Sequence, residues 1–161
     1  MHTYFNDINA DFICKHCGAF VSALSVASGV INRNHCPFCL YSRHVDLFKA
    51  GDRLCACKEL MAPVGLTLKK SRDKYTRHPQ GELMLVHRCQ ACGDLSINRI
   101  AADDDPLKIL ALVEQKPADT DQLQRTCQEQ GICLLANTDR AILQTRLFGS
   151  SLAEKPAPLW V

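Results

Sequence analysis

Along the first hundred residues, short apolar runs alternate with cysteine-bearing turns; beyond them the apolar positions take up helical spacing. Phe12-Ile13 predicts a strand end just before Cys14-Lys15-His16-Cys17-Gly18-Ala19, and Phe20 to Val26, rich in apolar and β-branched residues, predicts a second strand. Ala27-Ser28-Gly29 reads as a turn, and Val30-Ile31 as a strand leading into the turn Cys36-Pro37-Phe38-Cys39. The same order recurs more loosely after Cys55-Ala56-Cys57. Pro63 to Leu68 and Glu82 to Val86 flank a polar insert from Lys69 to Gly81, which predicts a hairpin with a long basic tip running into Cys89-Gln90-Ala91-Cys92-Gly93.

Past Ile100 the period changes. Asp103-Asp104-Asp105-Pro106 places acids and a proline where a helix N-terminus favours them, and Leu107, Ile109, Leu110, Leu112 and Val113 give an apolar face that Lys116-Pro117 ends. A second helix is expected from Thr120 or Asp121 to just before Gly131, a short strand over Ile132 to Ala136, and a third helix from Asp139 to Phe148 closed by Gly149. The tail from Ser150, with Pro156 and Pro158, reads as extended. The expected architecture is a small α+β protein: tandem zinc ribbons, each a β-hairpin with a structural zinc site, over residues 1–104, then a helical or α/β appendage over 105–161.

Composition changes this picture in one respect. Aromatic residues make up only 6% of the 161 residues, but there are ten Cys and six His, so metal can stand in for part of a core. No basic region followed by an apolar run opens the chain, and no stretch reaches the ~18 apolar residues of a membrane span. A reducing cytoplasm is the expected setting, where clustered C-x-x-C turns signify metal rather than disulfides. The net charge of +2 is uneven: residues 1–102 hold 13 Lys and Arg against 8 Asp and Glu, while 103–161 hold 6 against 9. The cysteine-rich part is the basic one, which suits phosphate-bearing partners.

Cys14, Cys17, Cys36 and Cys39 form C-x₂-C-x₁₈-C-x₂-C, a spacing at which two turns deliver four thiolates to one tetrahedral zinc. A redox dithiol competes for any single C-x-x-C; two spaced this way, outside a βαβ unit, point to metal. Four protein ligands leave no open position, which implies a structural role. A second zinc is expected on Cys55, Cys57, Cys89 and Cys92. Because C-x-C chelates one ion with more strain than C-x-x-C, His44 and His87 are rivals of Cys55 for the fourth place. Cys127 and Cys133 have no such spacing and read as buried apolar residues.

Arg33-Asn34-His35-Cys36-Pro37, Ser42-Arg43-His44-Val45-Asp46, Gly51-Asp52-Arg53, Met61-Ala62-Pro63-Val64, His87-Arg88-Cys89-Gln90-Ala91-Cys92-Gly93 and Asn98-Arg99-Ile100-Ala101-Ala102-Asp103-Asp104 together resemble the bacterial RNHCP domain family. The resemblance spans about residues 12 to 104. It implies zinc binding and carries no biochemical activity with it. Here Ala62 stands where the family's pattern usually has Glu, and Cys55 is not part of that pattern, which keeps His44 open as a ligand.

Two roles are open to the polar residues beside the turns. Arg33, His35, Arg43 and Arg88, with Lys69, Lys70, Arg72, Lys74, Tyr75 and Arg77 of the insert, could present cations and a stacking ring to RNA or DNA. Alternatively, Arg43, Asp46, Asp52 and Arg53 could bond the turns and one another from beneath. A hydrolytic centre from His35, His44 and Asp46 lacks a second open metal site or a nucleophile with a base partner. The expected function is therefore a zinc-stabilised module contacting RNA or DNA, with translation-related assemblies as its setting by fold-level analogy. The competing expectation is an adaptor that docks a protein partner through 105–149.

Overall fold

The computed structural model describes residues 10–70, 81–115 and 120–149. The lead-in before residue 10, Lys116-Pro117, the tail from Ser150, and the insert residues Arg72, Lys74, Tyr75 and Arg77 lie outside them.

Two sheets organise the chain. The smaller pairs β1 (Phe12–Ile13) with β2 (Phe20–Val21) antiparallel across the first cysteine turn. The larger is an antiparallel meander of β3 (Ser42–Arg43), β4 (Leu60–Lys69), β5 (Glu82–Cys89) and β6 (Leu95–Arg99), in that order. The hairpin expected around the basic insert is thus the centre of the larger sheet: Lys69 pairs with Glu82 at its distal end and Met61 with Cys89 at its metal end. Central β5 is buried on both faces, which is why Leu83 to Val86 is an unbroken apolar run.

The strand expected over Phe20 to Val26 stops at Val21. Asp11 accepts from the Ala23 N–H at 2.7 Å and turns the chain, and α1 (Ser25–Ser28) follows, capped by Gly29 at a left-handed φ of 72°. Val26 is left 98% exposed, and Val30-Ile31 is irregular. Apolar and β-branched composition suggested a strand, but β1 offers only two residues to pair with. The first unit is therefore less a full ribbon than a pair of turns on a stub of sheet.

Helix α2 (Pro106–Ala111) begins where the acids and proline place it, with Asp105 accepting from the N–H groups of Leu107 and Lys108. Helices α3 (Thr120–Glu129) and α4 (Arg140–Phe148) follow, α4 entered through a 3-10 turn at Asn137–Asp139. Between them the expected strand at 132–136 shrinks to one bridge, Leu134 opposite Thr67; Leu135 N–H donates to Leu66 O at 2.8 Å and Thr67 Oγ1 to Cys133 O at 2.7 Å. This segment covers the β4 edge beyond the short β3, and Gly65 admits Leu134, whose side chain would stand 3.1 Å from a Cβ there.

The main core joins the sheet to these helices. Leu66, Leu83 and Leu85 from β4 and β5 pack with Leu40, Ile109, Leu110, Leu112 and Leu143, so one core draws on residues from both sides of residue 104. A smaller cluster holds only Cys14, Val21 and Cys36, flanked by Phe12, Ala19 and Cys39. Cys127 is buried, as expected of an apolar residue, whereas Cys133 is exposed, because its segment lies on the sheet edge.

Candidate metal centres

Three turns share one hydrogen-bond scheme. In each, the first Cys N–H donates to the carbonyl five residues on, and the N–H four residues on returns to the first Cys carbonyl: Cys14 to Ala19 and Gly18 to Cys14 at 2.8 Å, Cys36 to Tyr41 and Leu40 to Cys36 at 2.9 Å, Cys89 to Asp94 at 2.8 Å and Gly93 to Cys89 at 3.1 Å. The fifth position takes a left-handed backbone, with φ of 76° at Gly18, 80° at Gly93 and 63° at Leu40. Glycine is the residue suited to that geometry. Leu40 occupies it while its side chain, 1% exposed, anchors the main core.

Cys14, Cys17, Cys36 and Cys39 bring their sulfurs within 4.8 Å of one another, with Cys14 to Cys39 and Cys17 to Cys36 both at 3.6 Å. A tetrahedral zinc with Zn–S of about 2.3 Å sets its sulfurs roughly 3.8 Å apart, so the cluster fits that ion. His16 stacks on Tyr41 with ring centroids 3.6 Å apart, joining the two turns outside the cluster.

The second cluster is His44, Cys57, Cys89 and Cys92, again within 4.8 Å. Cys57 and Cys89 sulfurs lie 3.6 Å apart, and His44 Nδ1 is 3.3 Å from Cys92 Sγ, close to the ~3.5 Å expected between N and S on one tetrahedral zinc. This corrects the expectation for the fourth place. Cys55 is buried and its N–H donates to Val45 O at 3.0 Å, outside the cluster. His87 is also excluded: fully buried on β5, its Nε2 bonds Leu40 O at 2.7 Å and its Nδ1 pairs with the Asn98 amide at 2.9 Å. Burial above all, then the neighbouring His35, lowers His87 to about 3 against the pull of Leu40 O, so its ring is neutral.

His44 enters the cluster through a split version of the same turn. Its N–H donates to Glu59 O at 2.9 Å and Lys58 N–H returns to His44 O at 3.0 Å, with Lys58 left-handed at a φ of 53°. His44 therefore plays the first ligand, Cys57 the second and Lys58 the left-handed residue. A loop from Val45 to Ala56 is inserted between them. Asp52 gathers the loop by accepting from the N–H groups of Leu47, Phe48, Lys49 and Leu54, and Asp46 accepts from those of Gly51 and Arg53. Those bonds, the Leu47 N–H first, hold the Asp52 carboxyl below the ordinary carboxylate range.

The thiols resist carrying charge together. In the first cluster the Ala19 N–H lowers Cys17 to about 7, while burial pushes Cys36 and Cys39 up. In the second, burial opposes ionisation of Cys89 but the Cys92 and Ala91 N–H groups prevail and bring it to about 6. Cys92 goes the other way, to about 12: the Asp94 N–H favours its thiolate, but burial and the neighbouring Cys89 and Cys57 outweigh it. A dication relieves this opposition by holding all the sulfurs as thiolates, and its uptake releases protons. Each cluster can hold one zinc. Both are closed by four protein donors, leaving no protein-free coordination position in a tetrahedral site.

The pentapeptide Arg33 to Pro37 is buried. Arg33, 2% exposed, donates to Asp103 Oδ2 at 2.9 Å and to His35 O at 3.2 Å, and His35 Nε2 lies 2.7 Å from Asp104 Oδ2, which also accepts from Ala101 N–H. Asn34 donates to Asp46 at 2.7 Å and accepts from Arg53. These bonds tie the first cluster to the end of β6 and to the loop of the second cluster. The RNHCP domain family matches residues 9–110. The chain belongs to that family. The RNHCP pentapeptide thus serves, through Arg33, Asn34 and His35, as the brace between its two cysteine clusters. No curated protein and no solved structure matches the chain.

The inward-facing brace corrects two residues of the expected nucleic-acid surface. Arg33 and His35 are buried and paired, so neither can meet a phosphate, and His35, His44 and Asp46 do not assemble a hydrolytic centre: His35 pairs with Asp104, His44 joins the cysteines, and Asp46 binds backbone and Arg53. Arg43 is half-buried, its guanidinium 3.7 Å over the Phe12 ring. Burial, then Arg53, weakens its hold on a proton, with Asp46 opposing. Arg88 is half-buried on β5, and Lys69 and Lys70 are exposed at the distal end of the hairpin. The sequence did not show Asn34, Asp103 and Asp104 to be members of the brace; the acids read as a helix start and as part of the family motif. Their partners lie about seventy positions away in the chain, and nothing local signals that pairing.

Proposed function

We propose that this RNHCP protein is a zinc-stabilised, non-catalytic module that binds RNA or DNA through the β4–β5 hairpin. The observation that carries this reading is the closure of both clusters by four protein donors, which leaves the metals to hold turns rather than to activate water. The hairpin offers a cationic surface for contact. Strand β4 ends at exposed Lys69, exposed Lys70 follows, and the sequence from there to residue 78 adds Arg72, Lys74 and Arg77 around Tyr75. Cations grouped in one stretch of sequence, with a ring among them, suit phosphates and bases. An adaptor using 105–149 has less support, since Ile109, Leu110, Leu112 and Leu143 already face the sheet. Fluorescence anisotropy with labelled RNA and DNA tests the reading. Binding should weaken steeply with salt and be lost when Lys69, Lys70, Arg72, Lys74 and Arg77 are replaced by Glu; absence of binding by the zinc-loaded protein at low salt would overturn it.

A further inference from the structure

The loop inserted into the split turn exposes three large apolar side chains within eight positions: Leu47 at 51%, Phe48 at 83% and Leu54 at 62%. Slack surface loops do this at little cost, but this loop is fixed. Asp52 holds the N–H groups of Leu47, Phe48 and Lys49 at 2.8 to 3.0 Å, and Gly51 lies so close to Asn32 that a Cβ would meet its side chain at 2.5 Å. An aromatic ring displayed on a pre-ordered backbone loses little entropy when something covers it. Beside it runs a groove of about 330 Å³ between the loop and β6. The groove is not a simple apolar cleft: Ser96, Asn98, Arg43 and Lys49 line it with Phe48, and so do Asp46, which is paired with Arg53, and Asp94. Arg43 Nε is buried and has no acceptor among the described residues.

Resting on the nucleic-acid reading above, we infer that this groove takes one unpaired nucleotide of a single strand, its base stacked on Phe48 and its phosphate near Lys49 and Arg43. A flat ligand with polar edges matches this mixed lining better than an apolar side chain would, because Ser96, Asn98 and Asp94 can meet the edge of a base, and stacking on an exposed ring serves any base. A paired base has no free face to offer, so the site selects single strands.

The test uses the full zinc-loaded chain and labelled single-stranded RNA, single-stranded DNA and duplexes of the same sequence, with Phe48→Ala, Phe48→Tyr and the hairpin Lys69→Glu/Lys70→Glu variant. Phe48→Ala should weaken single-strand binding about 5- to 150-fold, leave duplex binding unchanged, and be rescued by Phe48→Tyr. A 2-aminopurine in the strand should be quenched by the wild type and not by Phe48→Ala. The RNA and DNA arms show whether the 2′-hydroxyl matters. If the wild type binds and the hairpin variant weakens it, but Phe48→Ala changes neither affinity nor quenching, the groove inference is overturned and the wider reading stands. If no nucleic acid binds the wild type at low salt, both fall, including the case in which Phe48 proves to dock a protein.

Discussion

Leu40 sets two preferences of the same residue against each other. Its left-handed φ of 63° is the geometry that Gly18 and Gly93 fill in the sister turns, yet its side chain is 1% exposed in the main core. Replacing Leu40 by Gly would relieve roughly 1 kcal/mol of backbone strain and remove a buried side chain worth about 2–5 kcal/mol. Burial wins. Leu40→Gly should therefore destabilise the zinc-loaded protein by about 1–4 kcal/mol in denaturant unfolding, and a gain in stability would show the core contact to be weak. The first cluster was legible residue by residue because C-x-x-C is a local signal. His44 was harder to single out, since its partner Cys57 lies beyond an inserted loop and the turn scheme shows only in the backbone hydrogen bonds. Arg33 and His35 misled for a related reason: charged side chains are exposed by default, and their partners Asp103 and Asp104, of which only Asp104 is buried, are remote in sequence.

Among the elements, the inserted loop from Val45 to Ala56 depends on one carboxylate. Asp52 is lowered below its ordinary value of 3.8, so its contribution to loop order is present above that value and lost as pH falls through the lower folded one. Asp52→Asn at neutral pH removes the charge while zinc stays bound. Amide hydrogen exchange at Leu47, Phe48, Lys49 and Leu54 should then quicken, with zinc content unchanged; unaltered protection would place the loop's order elsewhere. The β4–β5 hairpin and helices α2 to α4 were readable from apolar period and caps, because each is long enough to carry a pattern. By contrast, β1, β2 and α1 have two to four residues each, too few for periodicity to outweigh local hydrogen bonds such as Asp11 to Ala23.

For the whole molecule, the two cores differ in how far they need metal. The cluster around Cys14, Val21 and Cys36 is too small to hold itself together, whereas the core around Leu66 and Leu85 spans the large sheet and two helices. Structural zinc contributes roughly 10–16 kcal/mol of apparent binding free energy in small fingers. Verified chelation should accordingly unfold residues 10–39 first, seen as loss of amide protection there before β5. Simultaneous loss throughout would mean that the brace from Arg33 and His35 to Asp103 and Asp104 couples both units completely. Zinc K-edge X-ray absorption on the metal-loaded wild type tests the central claim most directly. The clusters predict two zincs per chain sharing seven sulfurs and one imidazole nitrogen, and His44→Ala should leave one all-sulfur zinc. Eight sulfurs with no imidazole in the wild type, or two zincs retained with unchanged scattering in His44→Ala, would contradict the split turn and return the fourth place to Cys55.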